Sequence, residues 1–139
     1  MQLAKEGKVA VSFANIEKGG MYSRPQLAEF WGYTGYQAIA RGVVTPRGSN
    51  KIILFVTEEK QGSLEQYRDR LKGNTLEWEG PTDHFAEGRM LLASDSGDEI
   101  HVFYRERHHS DFVYLGQVEI LSYTRRTDKP SAFCFQIPQ

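Results

Sequence analysis

From Glu99 onward the chain reads as strand after strand, and this run constrains the fold more than any other feature. Residues 100–105 and 112–115 are apolar and rich in β-branched and aromatic side chains. They flank a polar loop, Glu106 to Asp111, and so form a hairpin. The second arm continues through residues 117–123. A polar turn from Arg125 to Pro130 leads to a last strand over residues 132–137.

Upstream the period is helical. Ser23 is followed three residues later by Gln26, a capping box, with Pro25 in the first turn. Leu27, Phe30 and Trp31 recur at helical spacing, and Gly32 supplies the stop. Thr34 and Gln37 repeat the box, with Tyr36, Ile39 and Ala40 on the apolar side and Gly42 at the end. The stretch is predicted to be helix, tight turn, helix. Residues 51–57, Lys-Ile-Ile-Leu-Phe-Val-Thr, are a continuous apolar run of strand length, a central strand buried on both faces. Ser63 with Gln66 opens a third predicted helix, with Leu64, Tyr67 and Leu71 on one side and Gly73 closing it. Thr75 to Trp78 is a short strand. One early strand, then helices, then an antiparallel meander is an α+β order. The expected fold is a small curved or barrel-like, mostly antiparallel sheet flanked by short helices.

The 139 residues are one domain's worth. Residues 1–20 read as a lead-in and 21–139 as the single domain. A chain of this size buries roughly two-thirds of its unfolded surface, so its core needs no staple. Cys134 stands alone, which excludes a disulfide framework or a cysteine-rich zinc site. No apolar run approaches the ~20 residues that span a bilayer, and no secretory leader is expected. A cytoplasmic protein without a membrane partner is expected.

Catalytic motifs are missing from the sequence: no His-Glu-x-x-His, no Gly-x-Ser-x-Gly and no phosphate loop. His108 and His109 are adjacent, so an extended chain points them to opposite sides. Neither catalysis nor a cofactor is expected. The net charge of -1 argues at first against a nucleic-acid partner. Its distribution argues otherwise. Arg41, Arg47 and Lys51 follow one another without an intervening acid. Arg105, Arg107, His108 and His109 crowd the hairpin tip, and Arg125, Arg126 and Lys129 lie in the last turn, while Asp95, Asp98 and Glu99 gather elsewhere. A neutral total therefore conceals a candidate basic face for phosphates. Tyr33, Tyr36, Trp78 and Tyr104 each lie near a turn, a helix start or a strand end. Rings in such places, beside basic residues, suit base stacking. Glu79 and Asp83 follow the Trp, and a carboxylate there can accept from the exocyclic amine of cytosine or adenine. Gln37 offers both a donor and an acceptor to a base edge.

Several segments carry a family pattern: Tyr-Ser-Arg-x-x-Leu-Ala from Tyr22, Gly-Tyr-x-x-Tyr-Gln-Ala-Ile-Ala-Arg-Gly-Val from Gly32, Ile-Leu-Phe-Val-Thr from Ile53, Leu-x-Trp-x-Gly from Leu76, Ile-His-Val-Phe-Tyr-Arg from Ile100 and Phe-x-Tyr-Leu-Gly-x-Val from Phe112. The pattern resembles the domain found at the C-terminus of superfamily II helicases and in modification-dependent (type IV) restriction enzymes. That domain is similar to the SET-and-RING-associated (SRA) and pseudouridine-synthase-archaeosine-transglycosylase (PUA) folds. The resemblance implies a reader of modified bases in double-stranded DNA, 5-methylcytosine or another 5-modified cytosine foremost. It implies that the base is flipped from the duplex into an aromatic pocket. The reader would direct a nuclease or helicase-nuclease, in cis or in trans, to foreign modified DNA. No such module is recognisable in the chain, so a reader excised from a larger protein or standing alone is expected. Glu79-Gly80 departs from the small hydroxylated or basic residues of the helicase-linked relatives.

The expected mechanism has Tyr36 and Trp78 around the base, with Tyr33 and Tyr104 as further pocket rings. Gln37, Glu79 or Asp83 reads the polar edge. Arg41, Arg47, Lys51, Arg105, Arg107, His108 and His109 hold phosphates. Four other readings stand beside it. In a helix-turn-helix, Tyr36, Gln37 and Arg41 would lie on the recognition helix. An RNA-binding PUA-like module, a small enzyme using His84, His101, His108 or His109, and a protein-interaction domain are the rest.

Overall fold

The computed structural model describes residues 10–58 and 70–138. The fold is α+β. Strands β1 (Met21–Tyr22), β2 (Val43–Val44), β3 (Lys51–Thr57), β4 (Arg70–Lys72), β5 (Thr75–Glu79), β6 (Glu99–Arg105), β7 (Phe112–Thr124) and β8 (Ala132–Gln136) form one curved sheet. Its order is β2-β3-β6-β7-β8-β5-β4, with β1 beside β7, and it does not close. Helix α1 (Arg24–Trp31), a four-residue 3-10 turn (Tyr36–Ile39) and the short helices α2 (Glu87–Leu91) and α3 (Ala93–Ser96) complete the described elements. No described helix is long and apolar enough to cross a membrane.

The 100–105/112–124 hairpin, the 132–136 strand and the central 51–57 strand form as their sequence patterns predict. The strand β3 alternates between two cores. Ile52, Leu54 and Val56 point inside the curl, against Leu76, Trp78, Val102 and Phe135. Ile53 and Phe55 point outward, to a layer with Leu27, Trp31, Ile39, Phe103 and Phe112. Each such side chain buried from water contributes about 1.5–3 kcal/mol. A strand covered on both faces has no polar side to show, which explains its unbroken apolar run. One pairing departs from the antiparallel plan: β3 runs parallel to β6, with Lys51 opposite Glu99 and Thr57 opposite Arg105.

Helix α1 follows its capping signals. Ser23 Oγ accepts from the Gln26 N–H, and the Gln26 side chain accepts from the Ser23 N–H. Gly32 ends the helix in the left-handed region. The second predicted helix is only the single 3-10 turn. Gly35, not Thr34, stands at its start, and no side chain caps it. Without that cap and with four residues, it lacks the length a helix needs to stand in water. The third predicted helix begins at residues outside those described, and its predicted end is a strand. Leu71 lies in β4, and Gly73, φ +59, belongs to the tight turn that pairs Lys72 with Thr75. A glycine that accepts positive φ serves a helix end and a hairpin equally well, so the sequence signal is ambiguous. The helices over 87–96 carry no side-chain caps, and the sequence pattern does not predict them.

Residues 10–20, read as a lead-in, are packed on the domain. Phe13 stacks on His101 at 3.8 Å, Ile16 is buried, and the Trp31 indole donates to the Ser12 carbonyl at 3.0 Å.

Candidate functional site

Because the sheet curls without closing, its two ends face each other across a gap. β2 and β3 stand on one side and β5 on the other. A pocket of about 320 Å³ opens there, lined by Arg41, Val43 and Phe55 on one wall and by Trp78, Glu79 and the 80–83 loop on the other. Ligand pockets of small molecules start near this size.

Trp78 is 5% exposed and forms the floor. Its ring packs on Phe133 and Phe135, at 5.6 and 5.8 Å between centroids. Gly80 lies over the ring edge; a methyl group there would stand 3.3 Å from Trp78 Cη2. A side chain at this position would fill the floor of the pocket. Glu79 is mostly buried and has the Arg126 guanidinium 3.5 Å away. Asp83 is exposed at the mouth, where its Oδ1 accepts from the Phe85 N–H at 3.1 Å. Arg41 lies 4.5 Å from the centre of the Phe85 ring, joining the two walls by a cation–π contact.

Behind the 80–83 loop is a buried polar hub. Glu87 is 1% exposed. Its carboxylate accepts from His84 Nδ1 at 2.7 Å and from Ser131 Oγ at 3.1 Å, with Arg125 Nε at 3.5 Å. The Ser131 carbonyl in turn accepts the Gly80 N–H at 3.0 Å. His84 has φ +60, outside the common range for a side-chain-bearing residue. The hub thus ties the pocket loop to the Arg125 turn.

The structure gathers Trp78, Glu79, Asp83 and Arg41 of the residues singled out from sequence. The others lie outside the pocket lining. Tyr33 is half-buried against the α1 layer, and burial raises its phenol pKa. Tyr36 and Gln37 are exposed on the 3-10 turn that leads to Arg41. Tyr104 is buried, and its hydroxyl donates to Glu58. Lys51 is at the far end of β3, paired with Glu99 at 2.8 Å. Arg47 is exposed in the β2–β3 connection. Arg105 Nε donates to Thr57 Oγ1 at 2.8 Å, and its Nη1 donates to the Ser110 carbonyl at 3.1 Å. Arg107, His108 and His109 share the hairpin loop, with His109 at φ +70. Among the described residues no group of three or more His, Cys, Asp or Glu is placed to hold a metal ion.

Sequence reasoning missed Phe55 as a wall, because a mid-strand Phe in an apolar run reads as core. It also missed Glu87 and Arg24, which look like ordinary solvated helix residues. The helix-turn-helix reading does not hold, since the second element is a single 3-10 turn and cannot lie along a major groove.

No family model and no curated protein matches the chain. Solved structures do. The SUVH5 SRA domain, in complex with fully methylated CG DNA, superposes with a TM-score of 0.57 at 14% identity, over 94% of this chain and 95% of that one. The same domain with methylated CHH DNA gives 0.57 at 13%, over 94% of each chain. The DNA modification-dependent restriction endonuclease AspBHI gives 0.56 at 15%, over 93% of this chain and 72% of that one. The chain therefore has an SRA-like fold.

Proposed function

We propose that this chain is a non-catalytic reader of modified bases in double-stranded DNA, and that it takes a 5-modified cytosine, flipped from the duplex, into the pocket between β3 and β5. The observation that carries the reading is the pairing of two carboxylates, Glu79 and Asp83, with Trp78, Val43 and Phe55 around one cavity of about 320 Å³. Carboxylates accept from the exocyclic amine of cytosine. Trp78 and Val43 supply an apolar surface for the base face and a 5-methyl group. Gly80 keeps the floor open. The SRA-like fold supports the same reading, because the SUVH5 domain of that fold is known in complex with methylated DNA. AspBHI adds a modification-dependent nuclease among the chains of similar fold, which supports a role in targeting a nuclease module in cis or in trans.

The test is a binding panel. One duplex is offered unmodified, with 5-methylcytosine, with 5-hydroxymethylcytosine and with N6-methyladenine, beside an RNA of the same sequence. The 5-modified cytosine duplexes are expected to bind tightest. Equal affinity for modified and unmodified duplex, or preference for the RNA, overturns the reading.

A further inference from the structure

Arg24 and Arg105 come from distant parts of the chain, the start of α1 and the end of β6, yet both guanidinium groups stand over one ring. Arg24 Cζ lies 5.1 Å and Arg105 Cζ 4.2 Å from the centre of Phe112. Arg24 also lies 4.6 Å from the centre of Phe55, a wall of the pocket. Each is fixed by neutral partners. Arg24 Nε donates to the Ile39 carbonyl at 2.8 Å and its Nη2 to the Arg41 carbonyl at 3.3 Å. Arg105 is held by Thr57 and Ser110. The ion pairs among the described residues involve Lys51, Arg89, Arg125, Arg126, His84 and His101, and neither of these two arginines.

Two half-buried cations over one ring, with no carboxylate paired to either among the described residues, are costly. Desolvation, and then the charge of Arg105, lower the Arg24 pKa to about 10. Desolvation also lowers that of Arg105. A guanidinium has five N–H donors, so each keeps donors that its neutral partners do not use. An anion within reach of both would take up the remaining donors in charge-assisted hydrogen bonds.

We infer that Arg24 and Arg105 form an anion site for a phosphodiester of the bound DNA, next to the base pocket. Phe55 links the two sites, since it is among the residues that line the pocket and its ring carries the Arg24 guanidinium. The strand that delivers a base to the pocket is thereby gripped by its backbone at one fixed place. The inference rests on the reading of the chain as a DNA binder, but not on the identity of the base.

The experiment measures log K against log salt for modified and unmodified duplexes, using the whole chain, Arg105→Gln, Arg105→Lys and Arg24→Gln. Each lost phosphate contact reduces the slope by about 0.9 for double-stranded DNA. Arg105→Gln and Arg24→Gln are each expected to lower the slope by that amount, and to weaken both duplexes alike. Arg105→Lys is expected to keep most of the slope. An unchanged slope in Arg105→Gln overturns the site. Should Arg24→Gln not fold, the two Arg105 variants decide. A second arm raises inorganic phosphate at constant ionic strength, which is expected to raise the melting temperature of the unsubstituted chain more than that of Arg105→Gln. If phosphate stabilises both equally, the site is overturned as well. If the slope falls as expected but no duplex is preferred, the base reading fails and the anion site stands. If a modified duplex is preferred but the slope does not change, the anion site fails and the base reading stands.

Discussion

His101 of β6 and Tyr114 of β7 meet diagonally across the strand pair, and the Tyr114 hydroxyl lies 2.6 Å from His101 Nδ1. The other ring nitrogen, Nε2, lies 2.9 Å from Glu99 Oε1, which also takes Lys51 Nζ at 2.8 Å. The carboxylate can only accept, so Nε2 carries the proton and Nδ1 accepts from the tyrosine. Phe13 covers the imidazole face. A neutral histidine is thus held in one tautomer inside the apolar layer under α1.

Acid should destabilise this chain in two stages. Burial lowers the His101 pKa from 6.5, so the unfolded chain takes up its proton first. Stability therefore rises with pH between the lowered folded value and about 6.5, and is lost as pH falls through that window. Glu99 is held below 4.5 by the Lys51 hydrogen bond and then by His101, so its contribution is lost at lower pH still. Urea unfolding between pH 7.5 and 4 is expected to show both losses, and His101→Gln to remove the first. A His101→Gln curve parallel to that of the unsubstituted chain would refute the assignment.

Gly116→Ala is expected to cost about 1–3 kcal/mol. Gly116 has φ +112, and a methyl group there would come within 2.7 Å of Pro138 Cγ. The position follows the irregularity between Val102 and Phe103, where Leu115 is left without an opposite partner. Thermal unfolding measures the cost directly.

Loss of the Glu87 carboxylate should be felt at the pocket. Glu87→Ala leaves the Ser131 hydroxyl and His84 without their partner, a loss of about 1–3 kcal/mol by the usual cost of an unmatched buried polar group. Glu87→Gln keeps an acceptor and is expected to lose less. Denaturant midpoints of the two variants rank them; midpoints equal to that of the unsubstituted chain would show that the hub contributes nothing.

Asp83→Asn and Glu79→Gln exchange an acceptor-only group for an amide. If either carboxylate takes the cytosine amine, its variant should lose about 1–3 kcal/mol of discrimination between modified cytosine and the wrong base, the range for one good base contact. Competition between duplexes reads this ratio. Variants that both keep the full ratio would place the reading group elsewhere.

A Ser23→Ala variant removes the side-chain half of the α1 capping box, and about 1 kcal/mol of stability is expected to go with it. Circular dichroism melting would show this as a lowered midpoint.

The strands from Glu99 onward are legible in the sequence because each has cross-strand alternation or an unbroken apolar run between polar turns. Helix α1 is legible because its cap is chemical, a Ser and a Gln at fixed spacing. The helices over 87–96 are not, since no capping side chain marks them. The parallel β3–β6 pair is not, because nothing in either strand names a partner 48 positions away. Trp78, Glu79 and Asp83 can be found together because they are close in sequence. Phe55 and Arg41 join them only through the curl of the sheet. Lys51 misleads for the same reason: a basic residue in a basic stretch gives no hint of Glu99 opposite it.

The incomplete closure of the sheet has a mechanical consequence. Among the described residues no backbone hydrogen bond joins the β2–β3 wall to the 78–83 wall. A barrel sealed along that seam would have to break its ladder to admit a guest. Here the long strand β7 acts as the spine of a clasp, paired to β6 through its first half and to β8 through its second. It carries an irregularity in each half. Flexing at those two points would change the width of the gap while leaving every strand pairing intact.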